Sequence, residues 1–343
     1  MTTGPGTAVC PNCGRAVAAT DNFCEGCRTE LAPAAVSGDA PVTASECAFC
    51  HAAQLTADGY CESCGRKQPA ARDHIELDLG LLAGVTDKGL RHSRNEDAMA
   101  LATAELAGHP VALAVVSDGV SSSRRPDEAS LAAVQAAVRV LLAGVREDAD
   151  LLETSRAAVA AAQQSLAALD EPGPGDPPSA TFVSAVLTHE AATLCWLGDS
   201  RAYWLGAGGG SEAKRLTTDD SLASEMVATG LVSEDDAMTM PGAHVVTGWL
   251  GADGAGTEPH VATFKPPGPG VLLLCSDGLW NYRPGAAELA ELALPGALTD
   301  PLGTAAALVS FALEAGGMDN ITAVVAPFPP TAPAPEEKLA DEH

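Results

Sequence analysis

Aromatic residues are scarce in this chain: Phe, Trp and Tyr make up 4% of its 343 residues. Any core must therefore be filled by Ala, Val and Leu, and a hydrophobic content of 46% is enough to fill one. Basic residues are few as well, with 19 Lys and Arg against 45 Asp and Glu and a net charge of −26. That balance excludes general nucleic-acid affinity, because phosphate backbones are bound mostly by Lys and Arg. It also argues against an anionic membrane surface. No run of about 18 apolar residues is present, so no membrane-spanning helix is expected. The opening MTTGPGTAVCPNC has neither a basic region nor a long apolar segment. No signal peptide is expected, and the chain reads as cytoplasmic.

Disulfide-like cysteine spacing is missing too. Eight of the ten cysteines fall within the first 64 residues, as four CxxC pairs. Cys10, Cys13, Cys24 and Cys27 recur as Cys47, Cys50, Cys61 and Cys64, and ten residues separate the pairs in both copies. DNFCEGC in the first copy parallels DGYCESC in the second. Two CxxC knuckles suit one tetrahedral zinc, because each knuckle turns both sulfurs toward a single ion. The alternative is a redox or disulfide CxxC, for which duplication with so short a gap is not expected. Each unit is too small to bury a core, so the metal would supply its folding energy. The pattern resembles a tandem zinc ribbon, at residues 8–29 and 45–67. His51 reads as a bystander to a complete four-cysteine site. Cys195 and Cys275, alone in apolar runs, read as packed thiols.

A polar link is expected at 68–79, a main domain at 80–326, and a disordered Pro-rich acidic tail at 327–343. Within the main domain, Val, Leu and Thr mark strands at 81–86, 111–117, 181–188, 192–197, 201–205, 271–276 and 321–326. Apolar spacing of three and four marks long helices at Asp127–Val145 and Asp150–Leu169, with shorter ones at 221–230, 286–292 and 301–315. Strands in runs, with helices paired between them, indicate an α+β sandwich rather than alternating βαβ units.

Five segments carry acidic residues at strand ends or turns: TDKGLRHSRNEDA (86–98), SDG (117–119), LGDSRAYW (197–204), SDGLWN (276–281) and GGMDNIT (316–322). Carboxylates brought together stay ionised only if a cation sits among them. Hard oxygen ligands without convergent His point to Mg²⁺ or Mn²⁺ in this domain. The order of these segments resembles the metal-dependent Ser/Thr protein phosphatases of the PP2C type, over about Gly84 to Ala326.

That resemblance implies an α/β/β/α sandwich of two antiparallel sheets flanked by helix pairs. It implies hydrolysis of phosphoserine and phosphothreonine on proteins by a metal-activated water, opposing a Ser/Thr kinase, in a chain expected to be a monomer. Asp118 matches a carboxylate bridging two metals, with the Gly119 carbonyl on the second. Asp277 and Asp319 match the other ligands of the first. Glu96 and Asp97 match the acidic pair that holds the second metal and its waters. Asp199 matches a residue that contacts a weak third metal in some relatives. His92 takes the place of a phosphate-binding Arg, with Arg91 and Arg94 as the alternatives. Val120 stands where some relatives carry a His proposed as general acid, Asn281 where some have Asp, and Asp220 where many bacterial relatives have His. Residues 223–251 resemble a variable flap, whose Glu234, Asp235 and Asp236 read as a solvated helix start. Residues 1–72 hold five Lys and Arg against seven Asp and Glu. Two zinc-thiolate sites would add about −4, so the ribbons are expected to bind protein rather than nucleic acid.

Overall fold

The computed structural model describes residues 7–9, 15–18, 35–36, 47, 50–54, 56, 60–66, 68 and 70–330, apart from 209–211, 231, 234–235, 238–239, 241 and 255–256. Its main strands are β1 His74–Asp78, β2 Ala83–Asp87, β3 Asp97–Leu106, β4 His109–Asp118, β5 Phe182–Leu187, β6 Ala192–Leu197, β7 Arg201–Gly206, β8 Lys214–Arg215, β9 His260–Phe264, β10 Gly270–Cys275 and β11 Ile321–Phe328. Helices are α1 Pro126–Arg146, α2 Leu151–Leu169, α3 Leu222–Ala228, α4 Asp277–Trp280, α5 Ala286–Ala297 and α6 Pro301–Glu314.

Side-chain alternation builds three apolar layers from these strands. On β4, Leu113 and Val115 face α1 and α2, while Ala112, Ala114 and Val116 face the other sheet. One antiparallel sheet runs β9-β6-β5-β4-β3, with Ala35–Val36 paired outside β3. The second runs β8-β7-β10-β11-β2-β1. Met99, Leu101, Trp204, Leu272 and Val324 fill the space between the sheets. Leu273, Leu289, Leu308 and Val325 fill the outer layer under α5 and α6. Small residues let the helices pair closely: a Cβ on Gly144 of α1 would lie 2.3 Å from Thr154 of α2. The α/β/β/α sandwich expected from the resemblance is thus present.

Three differences from the sequence reading bear on the site. The expected link at 68–79 is largely structured: Ala71–Asp73 form a 3₁₀ turn, β1 pairs with β2, and Arg72 is buried. The catalytic sheets also extend past Ala326 to Phe328, so Pro327 and Phe328 belong to β11 rather than the tail; residues 331–343 lie outside the described residues. Finally, β3 was not expected at all. Its sequence DAMALATAEL is Ala-rich and weak in β propensity. Pairing with β4 through a tight turn, Ala107 (φ 51°) and Gly108 (φ 79°), overrides that preference. Among the described residues α1 is the one helix long and apolar enough to cross a membrane by composition; here its apolar side packs over β3 and β4.

Arg201 and Asp219 form a buried ion pair, Nη2 to Oδ2 at 2.6 Å and Nε to Oδ1 at 3.0 Å. The guanidinium also stacks on Trp280, 3.5 Å from the ring centroid. Asp219→Ala would leave a buried cation unpaired. We expect a loss of about 3–5 kcal/mol in stability, read by urea unfolding.

Candidate active site

Antiparallel pairing gathers the acidic segments at one end of the sandwich. Asp118 ends β4 directly opposite Asp97, which starts β3. Asp277 follows β10 at the start of α4, Asp319 lies two residues before β11, and Asp199 sits in the turn between β6 and β7. Glu96, Asp97 and Asp199 are buried, whereas the Asp319 side chain is 40% exposed.

Asp97 is held by hydroxyls: Ser276 Oγ and Thr322 Oγ1 each donate to its Oδ2 at 2.7 Å. Its Oδ1 is buried without a hydrogen-bond partner, and so is Oδ1 of Asp277. Asn281 Nδ2 donates to the other Asp277 oxygen at 3.1 Å. Glu96 takes Arg94 Nε on Oε1 and the Ser121 hydroxyl on Oε2. Asn320 stitches the site from behind, accepting the Glu96 N–H and donating to the carbonyls of Lys88 and Arg94. Gly119 is required by space. A Cβ there would lie 2.2 Å from the Pro126 carbonyl oxygen and 2.9 Å from that of Glu96. Gly278 is equally confined, 1.9 Å from the Asn320 carbonyl oxygen.

Burial, and then the charges of Asp97, Asp277, Asp319 and Asp199, push the Asp118 carboxyl well above its ordinary range. Burial, and then Asp199, Asp319 and Asp97, do the same to Asp277. Burial raises Asp97 to about 6 against the pull of the Ser276 and Thr322 hydrogen bonds. Burial and the charge of Asp219 raise Asp199 to about 7. Buried carboxylate oxygens without donors, on acids that repel one another, suit divalent cations. The convergence is looser than at the thiols: among the described residues, only cysteines bring three or more donor atoms within 4.8 Å of one another.

His92 lies between the acids, Nε2 3.1 Å from Asp319 Oδ1 and Nδ1 3.7 Å from Glu96 Oε2. Arg94 is engaged with Glu96 and Asp127. Arg91 is exposed and pairs with no acid among the described residues. Asp220 is bonded to His260 Nε2 and to the Gly198 N–H, one residue before Asp199. Sequence reasoning missed Ser276, Thr322, Asn95, Asn320 and Ser121 as supports. Four of them stand inside the quoted acidic segments, so their positions were visible while their bonding was not.

The second cysteine set is also assembled. The sulfurs of Cys47 and Cys64 are 3.7 Å apart, and those of Cys50 and Cys61 are 3.5 Å apart. Four sulfurs about 2.3 Å from one tetrahedral zinc lie about 3.8 Å apart, which these spacings match. The N–H groups of Ser63 and Cys64 donate to Cys61 Sγ at 3.4 Å, and the Cys64 contact leads the lowering of the Cys61 thiol's pKa. His51 is exposed and is not one of the clustered donors. Cys10, Cys13, Cys24 and Cys27 lie outside the described residues, although Thr7–Val9 pairs with Ala16–Ala18 around the first knuckle. Glu234 and Asp235 of the flap lie outside them as well.

Two outcomes follow from this gathering of acids. Asp277→Asn or Asp319→Asn is expected to lower kcat by on the order of 10²-fold while far-UV circular dichroism stays native. The second outcome is a pH dependence of stability. Between the unfolded pKa of 3.8 and the folded values of about 6 for Asp97 and about 7 for Asp199, the folded chain holds protons that the unfolded chain has released. Stability without metal therefore falls as pH rises through that window and stays low above it. Thermal unfolding in EDTA should show a lower Tm at pH 8 than at pH 5.5, and Mn²⁺ should raise Tm more at pH 8.

Residues 90–295 match the family model described as protein phosphatase 2C. The serine/threonine phosphatase stp of Listeria innocua is 31% identical over 229 residues, covering 62% of this chain and 83% of that protein. The serine/threonine protein phosphatase PstP of Mycobacterium tuberculosis is 29% identical over 248 residues, covering 71% of this chain and 44% of that one. A crystal structure of that phosphatase superposes with a TM-score of 0.57 at 28% identity, over 74% of this chain and 99% of the other. A structure of the PstP catalytic domain in complex with two manganese ions gives a TM-score of 0.54 at 26% identity, over 72% of this chain and 97% of that one. With its two antiparallel sheets, its acids gathered at their ends and these relatives, the chain belongs to the protein phosphatase 2C family of metal-dependent serine/threonine phosphatases.

Proposed function

We propose that the acidic end of the sandwich holds two Mn²⁺ or Mg²⁺ ions and hydrolyses phosphoserine and phosphothreonine on proteins. The observation that carries this reading is the pair of buried carboxylate oxygens, Asp97 Oδ1 and Asp277 Oδ1, left without donors among acids that repel one another. Asp118 would bridge the ions. Asp277 and Asp319 would complete one site, and the Gly119 carbonyl, Glu96 and Asp97 the other with its waters. Asp199 would contact a weaker third ion. Such a pair offsets phosphoryl charge and lowers the pKa of a water held between the ions.

The chain's own residues supply the rest. Ser276 and Thr322 fix one oxygen of Asp97 so that the other points where a water or ion can use it. Ser121 and Arg94 hold the two oxygens of Glu96. His92, one quarter exposed beside Asp319, is placed to orient a substrate phosphate, and Arg91 is the exposed cation next to it. Val120 offers no proton, so a water or another group would protonate the leaving alcohol. The substrates would be phosphoproteins turned over by an opposing Ser/Thr kinase in the cytoplasm.

The second four-cysteine cluster supports a structural zinc, and the repeat in the sequence extends that reading to Cys10, Cys13, Cys24 and Cys27. The ribbons would serve as a protein-binding or regulatory module. They contribute none of the acidic ligands, and their charge disfavours phosphate backbones.

The purified chain is expected to release phosphate from p-nitrophenyl phosphate and phosphothreonine peptides. EDTA should abolish that activity and Mn²⁺ restore it; full turnover in excess chelator would refute the two-metal reading. Elemental analysis should find about two zinc ions per chain. Cys61→Ser with Cys64→Ser should remove about one.

A further inference from the structure

Arg72 lies just ahead of β1 and outside the segment matched to the family, which begins at residue 90. It follows Cys64 of the second cysteine set by eight residues. Yet it is buried, with 7% of its surface exposed. Its guanidinium donates to the Asp97 carbonyl at 3.3 Å, to the Asp127 carbonyl, and to Ser130 Oγ at 3.2 Å. Its own carbonyl accepts Asn95 Nδ2 at 3.2 Å, and the same amide nitrogen reaches Thr86 Oγ1.

The register explains why Asp97 needs this partner. Asp97 faces Asp118, and the Glu96 carbonyl accepts the Gly119 N–H. In an antiparallel ladder, that pattern turns the N–H and carbonyl of Asp97 away from β4. Among the described residues, strand pairing on that edge of β3 is limited to Ala35–Val36 with Leu101 and Ala100. Asp97 is fully buried, so water cannot satisfy its outward groups. Asn95 Oδ1 accepts its N–H at 3.1 Å, and Arg72 serves its carbonyl. Through Asp127 and Ser130, the same guanidinium grips the first turn of α1. The loop between β4 and α1 carries Gly119 and Ser121. Arg72 therefore ties together the strand bearing Asp97 and the helix start that ends the Gly119 loop.

We propose that Arg72 is a positioning residue of the metal site, so that the segment joining the ribbons to the sheets forms part of the catalytic apparatus. This rests on the two-metal reading above. A chain cut at Asp73 would lose this contact, whereas one cut before Gln68 would keep it.

The test uses the zinc-loaded full-length protein with Arg72→Gln and Arg72→Lys. Mn²⁺ binding is measured by titration calorimetry, folding by near-UV circular dichroism in buffer without added Mn²⁺, and turnover of p-nitrophenyl phosphate across Mn²⁺ concentration. Arg72→Gln is expected to keep native dichroism and bind Mn²⁺ on the order of tenfold more weakly, with most of kcat recovered at saturating Mn²⁺. Arg72→Lys should fall between, because all three contacts converge on Nη2, where an ammonium can donate, but the lysine stem is shorter. A folded Arg72→Gln protein that binds Mn²⁺ as the wild type does overturns the proposal. If Arg72→Gln does not fold, Arg72→Lys decides, and wild-type affinity in that variant overturns it equally. Absence of Mn²⁺ binding to the wild type overturns the two-metal reading and this inference with it; unchanged variants of a binding wild type overturn this inference alone.

Discussion

Mutual repulsion among Asp97, Asp118, Asp277 and Asp319 is the constraint around which this end of the molecule is arranged. Asp97, Asp118 and Asp277 lie beside the more exposed Asp319, and for these three burial alone already disfavours charge. The fold tolerates this because each acid is fixed through groups that do not neutralise it. Hydroxyls of Ser276 and Thr322, the Asn281 amide and backbone N–H groups hold the acids in place without a formal countercharge. The nearby Arg94 reaches Glu96, and the His92 ring reaches Asp319 and Glu96, so neither is spent on Asp97, Asp118 or Asp277. Local stability is thus sacrificed for affinity toward a divalent cation, a distribution common at catalytic sites.

Rigidity elsewhere makes such strain sustainable. Each acid sits at the end of a strand whose body is buried on both faces, so the strand ends cannot splay to relieve repulsion. Glycines 119 and 278 bring backbone against backbone where any side chain would collide. On the far side of Asp277, Trp280 donates its indole N–H to the Asp199 carbonyl and lies under the Arg201 guanidinium, which Asp219 anchors. This buried cation balances Asp219 rather than the metal ligands, and so leaves the site's negative charge intact.

The cysteine units follow a different economy of scale. A segment of some twenty residues cannot bury enough apolar surface to fold alone, so a thiolate cluster stands in for a core. The segments around these units are nevertheless not detached from the enzyme. Ala35–Val36 extends the edge of β3, and Arg72 closes its start. Both act on the strand that carries Asp97, which physically links the cysteine-bearing end of the chain to the acidic site.

Strand and helix order in the main domain could be read from the sequence, because short apolar runs bounded by turn residues, such as those at 181–188 and 271–276, have few alternatives to a buried strand. The acids that gather at one end of the sheets could be read as well, since each stands beside Gly, Asn or Ser at the end of such a run. The clustering of Cys47, Cys50, Cys61 and Cys64 was legible in the CxxC spacing too, as geometry within a knuckle is local. The sequence could not reveal β3, whose alanines favour a helix until β4 and the helices above it supply partners. It could not reveal Arg72 either, because a single arginine in a polar stretch looks solvated. Only the antiparallel register turns the Asp97 carbonyl outward into a buried position, and only then does a distant guanidinium become its donor. Local pattern determined which residues carry the chemistry. Long-range pairing decided which groups hold them in place, because hydrogen-bond partners some 25 to 225 residues apart leave no periodic trace in the chain.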